Sequence, residues 1–177
     1  AGSMMGSGGM IVMDEDDCMV SVARFFLDFT VEESCGKCTP CRIGNKRLLE
    51  LLNKITEGKA TEKDLQTLQT LGKVIKDTAL CGLGQTSPNP VLSTLDNFYD
   101  EYVEHVRDKT CRAKQCKSLL TYYINPDTCI GCHLCAKNCP ADAITGLPRK
   151  PHTVLPEKCI KCGMCMACCK FNAISVC

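Results

Sequence analysis

Twelve of the seventeen cysteines fall into three four-residue sets whose spacing suits 4Fe–4S clusters. The fullest run is Cys129-x2-Cys132-x2-Cys135-x3-Cys139, followed by Pro140. A second run follows at Cys159, Cys162, Cys165 and Cys169, and a third triplet, Cys35, Cys38 and Cys41, has Cys81 as a distant fourth member. Thiolates at x2 spacing wrap one face of a cubane, and loop amides reach its sulfurs. In tandem runs of this kind the fourth cysteine ligates the neighbouring cluster. The expected sets are therefore Cys129, Cys132 and Cys135 with Cys169, and Cys159, Cys162 and Cys165 with Cys139. Two features depart from the usual run: Lys170 stands where proline is common, and Cys168 directly precedes the expected ligand Cys169. His133 lies between Cys132 and Cys135 and reads as a partly exposed loop residue, with tuning of a potential or relaying of protons as its alternative roles.

Zinc is the competing chemistry, because paired CxxC motifs also build tetrahedral sites. Two complete tandem runs are more specific than such pairs. The triplet at Cys35–Cys41 is weaker by spacing alone and suits zinc or a redox disulfide as well. Cys81 strengthens the cluster reading, since Gly82 and Gly84 let the backbone approach a cluster closely. Five cysteines remain: Cys18, Cys111, Cys116, Cys168 and Cys177. Cys111-x4-Cys116 with His152 forms a candidate structural zinc site, with Cys177 or Cys18 as the fourth ligand. No nucleophile–base pair, phosphate loop or paired carboxylate stands out. Gly6-Ser7-Gly8-Gly9 is too short and badly placed for a dinucleotide fingerprint.

Composition sets the frame for this chemistry. The cysteine count is odd, no apolar signal segment precedes the chain, and no apolar run is long enough to span a bilayer. Those features favour cytoplasmic metal binding over a secreted disulfide scaffold. Without its cysteines the apolar share falls from 45% to about 36%, and Trp is absent, so the core is thin for 177 residues. Metal binding is expected to supply much of the folding free energy, and the second half is expected to be disordered without iron and sulfide. The formal charge is +1. Each oxidised cluster with four thiolates adds about −2, so three clusters bring the chain to roughly −5. That undercuts the alternative of a zinc-stabilised interaction or nucleic-acid-binding module using the basic stretch 107–117.

These sites need elements to hold them. Residues 1–16 read as the end of a domain truncated upstream, with a Gly/Ser/Met-rich start and a lone strand at Met10–Met13. Residues 17–107 read as a small four-helix bundle carrying one cluster. Its first helix, about 17–30, follows the acid cluster Asp14–Asp17 and places Met19, Val22, Ala23 and Phe26 on one face. The second starts at Thr39-Pro40, carries Leu48, Leu51, Leu52 and Ile55 on one stripe, and is closed by Gly58. The third opens at Thr61 with Asp64 as a capping box, and the fourth, about 90–107, aligns Val91, Leu95, Phe98, Tyr102 and Val106. Residues 108–120 read as a basic linker and hinge. Residues 121–177 repeat with a period of 30, Tyr123–Cys129 paralleling Thr153–Cys159, and form an α+β, two-cluster bacterial ferredoxin-like domain.

The segments Glu33–Arg42 and Leu80–Pro90 together resemble the C-terminal part of a known family, that of the flavin-bearing, NADH-oxidising subunits. That family includes the complex I flavoprotein and the beta subunits of multimeric electron-bifurcating [FeFe]-hydrogenases, and the appended two-cluster domain is most similar to the hydrogenase branch. The resemblance implies that Cys35, Cys38, Cys41 and Cys81 hold a 4Fe–4S cluster near a flavin, giving three clusters in all. It also implies that FMN and NAD(H) bind a region preceding residue 1. The expected function is an electron-transfer module of an NAD(P)H-linked complex, with a hydrogenase-type catalytic subunit and a small iron–sulfur subunit as partners. Members of the hydrogenase branch are similar to this chain at Cys111, Cys116 and His152.

Overall fold

A computed structural model describes residues 10–176. The Gly/Ser/Met-rich start and Cys177 lie outside the described residues. Met10–Met13 form no strand; they run exposed and unpaired, which corrects the expected strand, because an extended segment needs a partner ladder. Helix α1 spans Met19–Glu32. Its N-cap is Cys18, whose Sγ accepts from the Ser21 amide, rather than an acid of the Asp14–Asp17 cluster. Met19, Val20, Ala23, Leu27 and Thr30 form its buried face.

The Thr39-Pro40 start begins as a π-helical turn, Pro40–Gly44, that runs into α2, Asn45–Thr56. The Leu48, Leu51, Leu52, Ile55 stripe of α2 is buried. Gly58 reverses the chain after it with φ +72, and a β-carbon there would meet Leu119 Cδ2 at 2.6 Å. Helix α3, Glu62–Thr78, opens on the Thr61/Asp64 capping box, with the Thr61 amide donating to Asp64 Oδ2 at 2.7 Å. A short helix, α4 (Gly82–Thr86), follows Cys81.

The expected fourth helix is interrupted. Helix α5 spans Asn89–Asn97, Phe98 leaves helical geometry at φ −130, ψ 37, and α6 (Tyr99–Val103) resumes into a π-helical turn, Glu104–Asp108. The apolar stripe continues across the break, since Val91, Leu95, Tyr102 and Val106 are all buried. Segment 108–120, read as a linker, lends Cys111, Ala113, Cys116 and Leu119 to the helical core.

The second half contains two small antiparallel sheets. Strand β1 (Tyr122–Ile124) pairs with β4 (Ile174–Val176), and β2 (Ile144–Thr145) pairs with β3 (Thr153–Val154). Helices α7 (Leu134–Lys137) and α8 (Met164–Cys168) lie against one another between them. Each repeat half therefore gives a strand, a cysteine loop, a helix and a second strand, and each strand pairs across the halves. The core here is small: Leu120, Tyr122, Ile124, Ile144 and Ile174 share it with the cysteines.

Candidate metal centres

The tandem runs converge as their spacing requires. Cys129, Cys132, Cys135 and Cys169 line one small cavity, and Cys139, Cys159, Cys162 and Cys165 line another. Each fourth cysteine has crossed to the other run. All sixteen described cysteines are free thiols. Burial pushes the Cys135 thiol up to about 11 and raises that of Cys165 in the same way. Such thiols ionise when a metal takes the proton's place, so the sets fit a cluster that supplies the charge. Cys168 Sγ points back to the Cys165 carbonyl at 3.3 Å.

The helical set assembles at the C-terminal end of α1. Cys41 is buried on the π-helical turn, while Cys35 and Cys81 are exposed. The loop bearing Cys81 reaches the triplet: main-chain N–H groups of Leu80 and Cys41 are aimed at Cys38 and hold its thiol below the usual range. Gly84 packs on Cys41, where a β-carbon would sit 3.2 Å from Cys41 Cβ. A buried polar pair supports this corner. Asn45 Nδ2 donates to Cys41 Sγ (3.5 Å), and its Oδ1 lies 2.9 Å from Ser87 Oγ, whose single proton is shared with the Gly84 carbonyl at the same distance. Ser34 Oγ lies 3.2 Å from the same sulfur. The sequence assigns no role to Asn45 or Ser87; the only hints are that Asn45 follows Cys41 by four residues and Ser87 lies in the Leu80–Pro90 segment.

A fourth site is fully buried. Cys18, His105, Cys111 and Cys116 bring their ligand atoms within 4.8 Å of one another. His105 Nε2 lies 3.3 Å from both Cys18 Sγ and Cys116 Sγ, and its Nδ1 donates to the Glu101 carbonyl at 2.7 Å. That bond presents Nε2 to the thiols, the arrangement found behind metal-bound histidines. The thiols share protons: hydrogen bonds from Cys116 and Cys18 lower Cys111, and hydrogen bonds from Cys111 and Cys18 raise Cys116. Burial acts to lower His105, but the Cys111 and Cys18 sulfurs outweigh it and push it up to about 10. Three sulfurs and one imidazole within reach of a common centre fit tetrahedral zinc.

The expected zinc set is thus corrected in one member. Cys111, Cys116 and Cys18 come together, but the imidazole is His105, delivered by the helical segment that packs on α1. His152 belongs to the ferredoxin-like half, bonded to His133 Nδ1 (2.8 Å) and the Lys150 carbonyl (3.1 Å) beside the Cys129 set. Cys177 lies outside the described residues. Because Cys18 caps the start of α1 and Cys35 follows its end, the two helical-half sites are separated by a 14-residue helix, about 21 Å.

Known proteins carry the same pattern. The NADH-ubiquinone oxidoreductase-F iron-sulfur binding region matches residues 21–105, and the 4Fe-4S dicluster domain matches residues 123–176. Over 150 residues the chain is 64% identical to the NADP-reducing hydrogenase subunit HndC of Solidesulfovibrio fructosivorans, covering 85% of this chain and 31% of that protein. It is 39% identical over 111 residues to an NADH-quinone oxidoreductase-F protein of Rhizobium meliloti, covering 63% of this chain and 26% of the relative. In a crystal structure of an NAD+-reducing [NiFe]-hydrogenase in the H2-reduced state, one chain superposes with a TM-score of 0.52 at 31% identity, over 54% of this chain and 16% of that one. This chain therefore spans less than a third of either curated relative. Fold and cysteine sites define an iron–sulfur electron-transfer protein. The matches support its being the C-terminal, iron–sulfur-binding region of a member of the NADH-quinone oxidoreductase-F family. No helix of the described residues is long and apolar enough to cross a membrane.

Proposed function

We propose that this chain is the iron–sulfur relay of a cytoplasmic NAD(P)H-linked oxidoreductase complex, passing single electrons between an FMN site outside these residues and clusters of partner subunits. Three 4Fe–4S clusters, held by Cys35, Cys38, Cys41 and Cys81 and by the two crossed ferredoxin sets, supply that one-electron chemistry when bound. The observation that carries the reading is the exchange of Cys139 and Cys169 between the two cavities, which zinc fingers have no need of. The helical half is read as a four-helix bundle, its fourth helix broken at Phe98, spanning 17–107, with 108–120 joining it to the ferredoxin domain at 121–177. Residues of the chain position the relay: Asn45 and Ser34 aim donors at Cys41, and the amides of Leu80 and Cys41 serve Cys38.

A structural zinc in the set Cys18, His105, Cys111 and Cys116 completes the assignment. It fastens the start of α1 to the segment leading into the ferredoxin-like half. The relatives are hydrogenase and NADH-quinone oxidoreductase subunits, which supports a hydrogenase-type catalytic subunit and a small iron–sulfur subunit as partners, and NAD(H) as the distal substrate. Metal analysis tests the whole reading. About twelve irons and one zinc per chain are expected, with three reducible signals in electron paramagnetic resonance. The isolated chain is expected not to oxidise NADH. Four or more zincs with no iron would instead return the chain to the zinc-module class.

A further inference from the structure

The two halves of the ferredoxin-like domain repeat in backbone as well as in sequence. Left-handed residues recur thirty positions apart: Gly131 and Lys161 (φ 70 and 59), His133 and Gly163 (φ 64 and 77), Asp142 and Asn172 (φ 47 and 48). Two of these pairs set a glycine against a bulkier residue, Gly131 with Lys161 and His133 with Gly163, and in the second of them the bulkier residue is a histidine at a cysteine cavity. Between the second and third cysteines of the second run, Gly163 takes the left-handed conformation freely. The Tyr122 hydroxyl covers it, 3.2 Å from where a β-carbon would stand, and Tyr122 lines the cavity of that set. In the first run the glycine's place is taken by His133, and the tyrosine's place by His152.

A left-handed non-glycine residue costs on the order of 1 kcal/mol. What holds His133 there is a 2.8 Å hydrogen bond between its Nδ1 and His152 Nε2. His152 is only 2% exposed, and its Nδ1 lies 3.1 Å from the Lys150 carbonyl. A carbonyl only accepts, so His152 Nδ1 carries a proton, and in the neutral pair His133 Nδ1 donates to His152 Nε2. Both rings line the cavity of Cys129, Cys132, Cys135 and Cys169. Strain kept at one of two repeated sites, and fastened by a buried partner, marks a position where strain serves a function.

We infer that the His133–His152 pair makes the two ferredoxin clusters electronically unequal. The pair acts by position: it fixes the Cys132–Cys135 loop, and with it the hydrogen bonding and water access around the first cluster. Those are the quantities that set the potential of such a cluster. The second cluster meets glycine and a phenol at the same places. Unequal clusters give a shared electron a preferred seat. The inference rests on the reading that both cavities hold 4Fe–4S clusters.

The test exchanges the residues of one half for those of the other. In the full chain with its clusters, H133G/H152Y rebuilds the first site as the second. Redox titration followed by electron paramagnetic resonance is expected to find the two ferredoxin midpoints closer together. The expected narrowing is about tenfold in the equilibrium constant for sharing an electron, ~59 mV, with the helical cluster unmoved and iron content kept. H133N, whose side chain tolerates the left-handed backbone, is expected to narrow the gap in the same direction should the double variant fold poorly. Equal midpoints in the unaltered chain, or an unchanged gap in an iron-replete variant, would overturn the inference while leaving the relay intact. An unaltered chain whose ferredoxin half takes up no iron would remove the relay reading first, and the inference with it.

Discussion

His105 and Cys18 stand 87 residues apart in the chain, yet Nε2 of one lies 3.3 Å from Sγ of the other at the buried start of α1. This contact ties the first helix to the π-helical turn that follows α6, and through Cys111 and Cys116 to the segment that leads into the ferredoxin-like half. Glu101 reinforces it from two directions, its carbonyl accepting from His105 and its carboxylate accepting from the Met19 amide.

His105→Ala is expected to abolish the zinc while leaving the iron content unchanged. The loss of a buried metal ligand places the cost on the order of 4 kcal/mol of stability, readable by thermal unfolding of the cluster-loaded chain. Zinc affinity is also expected to rise with pH. Neighbouring thiols raise Cys116 above its ordinary value, so the metal-free site holds that proton at neutral pH and must release it to bind zinc. Calorimetry in buffers of different ionisation enthalpy measures the release. An affinity independent of pH would contradict a thiol-bound zinc.

The crossing of the fourth cysteines makes an unintuitive prediction. Cys169→Ser is expected to impair the cluster of the first run and Cys139→Ser that of the second, each lowering iron content by about a third. Cys168→Ser is expected to leave all the iron in place, because its sulfur is turned to the Cys165 carbonyl. Iron analysis with magnetic resonance of the three variants decides it.

Asn45→Ala is expected to lower the midpoint potential of the helical cluster. An N–H aimed at a ligating sulfur favours the more negative, reduced state, and its removal shifts the potential by something on the order of tens of millivolts. The ferredoxin midpoints serve as internal references. A rise, or no change, would take the Asn45–Cys41 contact out of the relay.

Gly58→Ala combines a left-handed backbone with a β-carbon 2.6 Å from Leu119. The backbone alone costs about 1–2 kcal/mol, and Leu119 must move as well. Chemical denaturation of the helical half is expected to record at least that loss, with zinc and iron stoichiometry unaltered.

The cysteine sets were legible in the sequence because ligand spacing is dictated locally: a loop wrapping one face of a cubane permits few separations. The period of 30 was legible for the same reason, since each half must supply the same strand, loop and helix. The proposed zinc set was legible in its close pair, Cys111 and Cys116, and in Cys18 as one of two candidates for the fourth ligand. His105 sits on the stripe shared by Tyr102 and Val106, where a buried histidine looks like ordinary core, and its contact with Cys18 depends on how two distant helices pack. His152 drew attention because it is a histidine in a short interval between cysteine runs, but strand β3 directs it to its own half. The break at Phe98 left no signal either, because the apolar stripe crosses it unbroken. Met10–Met13 carries strand-like residues with no ladder to join among the described residues.

The two halves draw their cohesion from different materials. The helical half closes on Leu27, Leu48, Leu52, Ile55, Leu68 and Ile75, whereas the other half has a few aliphatic residues packed among thiols. An ordered maturation is therefore expected. The helical half is expected to reach its shape before any iron arrives, with Cys35 and Cys81 exposed and Cys38 half-buried. The ferredoxin-like half is expected to take shape as its iron is inserted. A cell starved of iron but not of zinc would accumulate a half-finished protein, still ready for completion.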